Sequence, residues 1–259
     1  GHALLALLGL SGGTIQIDFL AQLQAALARE HVRYVVAAKN TTTATSLMDG
    51  AVSIIDHDVL LVNERTVTLL GDSIGTTFAT NVPADVLPEG LALLRGYVSR
   101  KATIDGAEML LVNTHLESGD LFGEVRAGQA LELAALIGAS SAPRVVLTGD
   151  FNDVQGSTMY GVLAGANLVD TWAALRPRDA GFTCCQAADL LNRRSVLNQR
   201  IDYIWTRGFT RPSGKLGGEI QLISARPDAR VRGAFGLIWP SDHAGLVAQL
   251  GGERESDRH

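Results

Sequence analysis

The chain has 259 residues with 22 Lys plus Arg against 27 Asp plus Glu, a formal charge of −5, and is 46% hydrophobic and 19% charged. That balance supplies a core, and with 28 scattered glycines, 7 prolines and no long heptads it excludes disordered, collagen-like and coiled-coil chains. No dense basic block is present, so bulk charge gives no strong pull on a nucleic-acid backbone, although a local positive groove stays open.

We find no repeat, linker or composition break, and read positions 1–259 as one domain. The longest apolar run, Ala3 to Leu8, is far short of the ~20 residues that cross a bilayer. Followed by Gly9, Ser11, Gly12 and Gly13 and lacking a positive flank, it reads as a helix end or junction rather than a signal peptide. The compartment is left open; a signal already removed would make the protein secreted or periplasmic.

Positions 18–29 place Phe19, Leu20, Leu23, Ala26 and Leu27 at helical spacing, with Asp18 as N-cap. A strand follows at 34–38. The apolar runs 52–55 and 59–62 flank Asp56-His57-Asp58, which reads as a hairpin turn. Two more strands, 97–104 and 108–114, surround Asp105-Gly106, a favoured tight-turn dipeptide. The longest helix is expected over 119–137, then a short central strand over 145–148. A helix opened by Ser157 should cover 157–163. Strand 199–206 puts Ile201, Tyr203 and Trp205 on one face, and 219–224 and 245–250 are further strands. Many strands and three or four helices, with neighbouring hairpins, predict an α/β sandwich rather than an alternating barrel.

Cys184 and Cys185 are the two cysteines. Neighbouring Cα atoms lie ~3.8 Å apart, below the ~4.4 Å usual for a disulfide, so a ring between them would be strained and rare. A CxxC-type metal site is absent.

Four segments bring chemically capable residues to strand ends. They are Asn113-Thr114-His115-Leu116-Glu117, Gly149-Asp150-Phe151-Asn152-Asp153, Arg200-Ile201-Asp202-Tyr203 and Ser241-Asp242-His243. Singly, each has a plain structural use: a satisfied histidine, a Gly-Asp turn, an Asp202–Arg200 pair, an N-capping Asp242. Chance places all four in one order far less readily.

Together they resemble the endonuclease/exonuclease/phosphatase superfamily, whose members include DNase I, abasic-site endonucleases, inositol polyphosphate phosphatases and neutral sphingomyelinases. The stretch from Gly181-Phe182-Thr183-Cys184-Cys185-Gln186 to Arg200 is similar to a bacterial branch of it. The resemblance implies a DNase I-like fold, a four-layered α/β sandwich of two facing mixed sheets flanked by helices. It also implies phosphate ester hydrolysis by in-line water attack with a divalent metal, Mg²⁺ or Mn²⁺. A phosphate under attack gathers charge on its oxygens, so a cation and hydrogen-bond donors must face them. His115 and His243 would donate, at least one as a cation, with Asp202 orienting and charging His243. Asp150 would position or deprotonate the water, and Asn152 would orient it or bind a phosphate oxygen. Asn113 would also bind substrate, and Asp150 and Asp242 would be metal ligands, directly or through water.

The opening of the chain departs from that pattern. Superfamily members start with a strand carrying Asn and a Gln-Glu segment whose glutamate is the main Mg²⁺ ligand, and neither is found. Thr14-Ile15-Gln16-Ile17-Asp18-Phe19-Leu20 resembles the segment after that glutamate. The chain is then either truncated or a divergent member, and Glu117, Asp150 and Asp242 are the obvious carboxylates near the motifs. Low aromatic content (5%) and negative charge favour a small or lipid-headgroup phosphodiester over nucleic acid. A DNA endonuclease or exonuclease is the first alternative, and a non-catalytic anion-binding module the second.

Overall fold

Two neighbouring strands of the main sheet end, and a third begins, at the same sheet edge. A computed structural model describes residues 17–47, 52–86, 94–211, 213–233 and 236–251. The expectations for the apolar run at 3–8 and the glycines after it lie outside the described residues.

Helix α1 (Phe19–Arg29) starts where the Ala21 amide donates to Asp18 Oδ1 at 2.9 Å, the expected N-cap. Strands β1 (Tyr34–Leu47) and β2 (Val52–Asn63) form an antiparallel pair. Here the expected turn at Asp56-His57-Asp58 gives way to continuous strand. These residues pair with Thr43, Thr41 and Asn40 of β1, and Thr41 Oγ1 lies 3.0 Å from His57 Nδ1. Their polarity serves cross-strand pairing rather than a reversal.

The main sheet has the order β3 (Val67–Thr77), β4 (Gly96–Ile104), β5 (Ala107–His115), β6 (Arg144–Asp150), β8 (Asp202–Arg207), β7 (Val169–Asp170). It is mixed: β5 and β6 run parallel and the other neighbours antiparallel. Asp105 and Gly106 both take positive φ, 49° and 73°, and turn β4 into β5 as expected. Sequence reading missed β3, because Gly71, Asp72 and Gly75 resemble a loop. The structure spends Gly71 (φ 58°) on an irregular stretch of ladder between Leu70 and Ile74, and sets Gly75 against the β1 backbone.

Helix α2 (Gly123–Ala139) follows a 3₁₀ turn at Asp120–Phe122, so it begins four residues later than expected. It packs beside α3 (Thr158–Gly165), whose first turn is capped by Ser157 accepting from the Tyr160 amide at 3.2 Å. Ala130, Leu133 and Ile137 of α2 and Met159 and Leu163 of α3 share one core with Leu110, Val112, Val145, Leu147, Tyr203 and Trp205. Each large apolar side chain buried there contributes about 1.5–3 kcal/mol relative to exposure. Opposite, the β1–β2 hairpin contacts β3, β4 and β5, and the Asn113 amide reaches the Val59 carbonyl at 3.4 Å. Helix α4 (Thr171–Leu175) and the antiparallel pair β9 (Gly218–Ile223) and β12 (Gly245–Leu250) lie against β8; β10 (Val231–Gly233) and β11 (Gly236–Ile238) pair antiparallel. These are mixed sheets with flanking helices, the α/β class that the resemblance implied.

One carboxylate is costly to this fold. Burial, and then Asp56 beside it, push the Asp58 carboxyl up from 3.8 to about 7, with Arg95 opposing. The folded chain thus keeps a proton that the unfolded chain releases, and stability falls as pH rises across that window. Asp58→Asn is expected to stabilise the fold at pH 8 by a free energy on the order of a few kcal/mol, and so to raise the melting temperature. The gain should shrink as pH falls toward 4, which calorimetry across that range checks.

Candidate active site

Strand pairing builds the site. Parallel pairing sets His115, the last residue of β5, opposite Asp150, the last of β6. Antiparallel pairing sets Asp150 opposite Asp202, the first residue of β8. Opposed residues on paired strands point to the same face, so three motif side chains form one row along one sheet edge. Gly149 permits the approach: a Cβ there would overlap the Thr114 carbonyl oxygen, and its φ of 153° disfavours other residues.

Beyond the row the strands splay into loops fixed by backbone bonds. The Leu116 amide donates to the Asp150 carbonyl at 2.9 Å, and the Phe151 amide to that of Ile201 at 2.8 Å. Asn152 takes a left-handed conformation (φ 50°), in which its amide donates to Asp150 Oδ1 at 2.8 Å. Its side-chain Nδ2 donates to the Leu116 carbonyl at 3.0 Å, tying the loop after β6 to that after β5.

His243 enters from the loop before β12, and its Nδ1 lies 2.9 Å from Asp202 Oδ2. The hydrogen bond to Asp202 raises its pKa to about 9 against the opposing effect of burial. His243 is therefore a cation at neutral pH. His115 behaves oppositely. Burial, and then the Arg95 guanidinium, lower its pKa to about 4, so it is a neutral ring. Its Nε2 stands 3.6 Å from Asp150 Oδ2, a contact with a carboxylate rather than an ion pair at neutral pH. Burial, and then Asp202 across the strand pair, push Asp150 up to about 6. Its ionised form is thus poised to accept a proton near neutrality.

Asp150, Asp202 and His243 offer three ligand atoms within 4.8 Å of one another. A desolvated carboxylate facing a second one is a setting that a hard divalent cation relieves, and oxygen donors are what such a cation takes. The residues present therefore fit a divalent ion held by few protein ligands, with Asp150 first. Asp242 does not join this cluster: it is exposed, with Ser241 Oγ 3.5 Å from its carboxylate. Asn113 sits one inward-facing position behind His115, its amide spent on the Val59 carbonyl and the Thr148 hydroxyl.

Sequence reading missed the two arginines that organise this edge. Arg95 lies 3.3 Å from Asp56 and 3.8 Å from buried Glu117. Arg126, in the first turn of α2, holds Asp153 at 3.1 Å and donates to the Glu117 and Gly119 carbonyls. Neither has a local motif; their partners are distant in sequence. Cys184 and Cys185 are joined by a disulfide, against expectation. Their Cα atoms lie 3.1 Å apart across a cis peptide bond, so Cα spacing alone does not decide this neighbouring pair.

With this geometry in place, residues 53–243 match the model of the Endonuclease/Exonuclease/phosphatase family. Among solved structures, an endonuclease/exonuclease/phosphatase from Bacteroides vulgatus is similar at 20% identity and a TM-score of 0.59, covering 89% of this chain and 80% of that one. D. rerio TDP2 complexed with single strand DNA product is similar at 17% identity and 0.57, covering 89% and 81%. The human Nocturnin catalytic domain with bound sulfate anion is similar at 15% identity and 0.57, covering 89% and 77%. No curated protein sequence matches.

Proposed function

The chain belongs to the endonuclease/exonuclease/phosphatase family, and from that premise we propose that it hydrolyses phosphate esters, with Asp150 as base and His243 as cationic donor. The observation that carries this is the row of Asp150 and Asp202 with His243 closing it, a proton acceptor beside a charged donor. Water attacking phosphorus in line loses a proton, and Asp150 is the group positioned to accept it. Charge gathering on the phosphate oxygens meets the His243 N–H, which Asp202 orients and keeps protonated. Neutral His115 donates one uncharged hydrogen bond. Asn152 holds the loop in place, and Asn113 supports the strand behind it.

Members of this family work with divalent metal ions. We take Mg²⁺ or Mn²⁺ as the ion here, which Asp150 would hold with water filling most other positions; when bound it would add positive charge at the phosphate oxygens. Turnover of bis-p-nitrophenyl phosphate with Mg²⁺ or Mn²⁺, abolished by EDTA, is the expected result. Phosphate binding with no turnover in either metal would leave an anion-binding module in its place.

The leaning toward small or lipid-derived substrates has no support among the similar structures, one of which is a complex with single strand DNA product. A nuclease is therefore our second reading, favoured by a cleft of about 450 Å³ beside the motif loops. Gln155, Arg176, Arg178 and Arg200 are among the residues that line it, supplying cations for a phosphate backbone. Arg200 is paired with Asp170 at 2.8 Å, and Asp179 also lines the cleft. Cleavage of a single-stranded oligonucleotide in the same assay, falling steeply with salt, would select the nuclease.

A further inference from the structure

The segment from Thr183 to Gln186 takes no part in the chemistry above, yet it is clamped to the loop that carries His243. The Ala244 amide donates to the Thr183 carbonyl at 2.7 Å, and the Gln186 amide to the Asp242 carbonyl at 2.8 Å. These bonds bracket both cysteines, and Cys184 forms backbone bridges to Gln199 on one side and His243 on the other. Cys184 is buried and Cys185 exposed, so the pair opens to solvent on one side. One sulfur from each cysteine and one ring nitrogen of His243 lie within 4.8 Å of one another.

Two sulfurs and an imidazole nitrogen make a donor set unlike the carboxylate group that shares the same histidine. Oxygen donors suit Mg²⁺ or Mn²⁺, whereas thiolate and imidazole select softer cations. In the disulfide the sulfurs carry no charge and are poor ligands, because the thiolate is the metal ligand. Reduction changes that while the clamps keep the sulfurs beside His243.

We propose that reduction of the Cys184–Cys185 bond creates, with His243, a site for one thiophilic divalent cation of the zinc or cadmium class. An external dithiol gives two electrons and two protons to the sulfur–sulfur bond and is itself oxidised to a disulfide. The cation then displaces the two thiol protons and one imidazolium proton to solvent. Occupancy removes the His243 donor from the phosphate, so the reduced protein loses hydrolysis when the site fills, and the oxidised protein does not. That consequence rests on the proposed function; cation binding does not.

Cadmium alone is the probe, because cadmium–thiolate bonds absorb in the near ultraviolet. The protein is reduced, freed of reductant, checked for two titratable thiols and titrated. The band is expected to saturate at one cadmium per chain, and to be missing from the oxidised protein and from reduced Cys185→Ser, whose exposed side chain makes it a mild substitution. In excess Mg²⁺, hydrolysis should be lost in proportion to cadmium bound in the reduced wild type, remain in Cys185→Ser, and return with chelator. Failure to obtain two thiols, no band in the reduced wild type, or an equal band in Cys185→Ser would overturn the site. A saturated band with full hydrolysis would remove His243 from the ligands and overturn the inhibition. A protein inert under every condition would fail as a phosphate esterase, and the band would still decide the site.

Discussion

Asp150→Asn is expected to lower kcat for phosphodiester hydrolysis by about 10²–10⁴-fold, the usual contribution of a positioned general base. An amide cannot accept the water's proton, and it also weakens the oxygen donor first in line for a divalent cation. The fold should be unharmed. Asn keeps an oxygen for the Asn152 amide now bonded to Asp150 Oδ1, and removes a charge that burial and Asp202 already oppose. Steady-state kinetics with a melting curve separate the two effects. A kcat like that of wild type would place the base elsewhere.

His243→Ala should cost about 10²–10³-fold in kcat, the scale of losing one preorganised donor to an oxyanion. His115→Ala should cost less. Both lie at the same edge, but His243 is held as a cation by Asp202 and His115 is held neutral by burial and Arg95. A charged donor makes a hydrogen bond roughly twice as strong as a neutral one. Equal losses in the two variants would contradict that division of roles.

Much of this site was legible because His115 and Asp150 each follow a short apolar run, while Asp202 and His243 stand just before or at the start of one. The runs leading to His115 and Asp150 carry their own strand signal, and a strand end is where polar side chains leave the core. Asp202 was read inside a longer strand that in fact begins with it. What local pattern does not contain is register. Nothing near Asp150 says that His115 and Asp202 stand opposite it, since pairing is decided by contacts 35 to 52 positions apart. Only the match of all four motifs to a family brought them together. Arg95 and Arg126 stayed hidden for the same reason, each pairing with a carboxylate remote in sequence. The polar stretch of β2 was misread because Asp56, His57 and Asp58 look like a turn until the Thr and Asn residues of β1 are set against them. Of the two carboxylates expected to hold a metal, Asp150 lies in the cluster with Asp202 and His243, and Asp242 stands outside it.

The central claim is that Asp202 holds His243 as the cation that meets the phosphate. The most direct test is the dependence of kcat on pH, from 7 to 10, in wild type and Asp202→Asn. Because the carboxylate raises His243 to about 9, wild-type kcat should stay level through neutrality and fall as pH passes about 9, where the cation is lost. Without that charge, Asp202→Asn should fall from a lower plateau, with its midpoint moved down toward the ordinary histidine value of about 6.5. Superimposable alkaline limbs in the two proteins, or no fall near 9 in wild type, would contradict it.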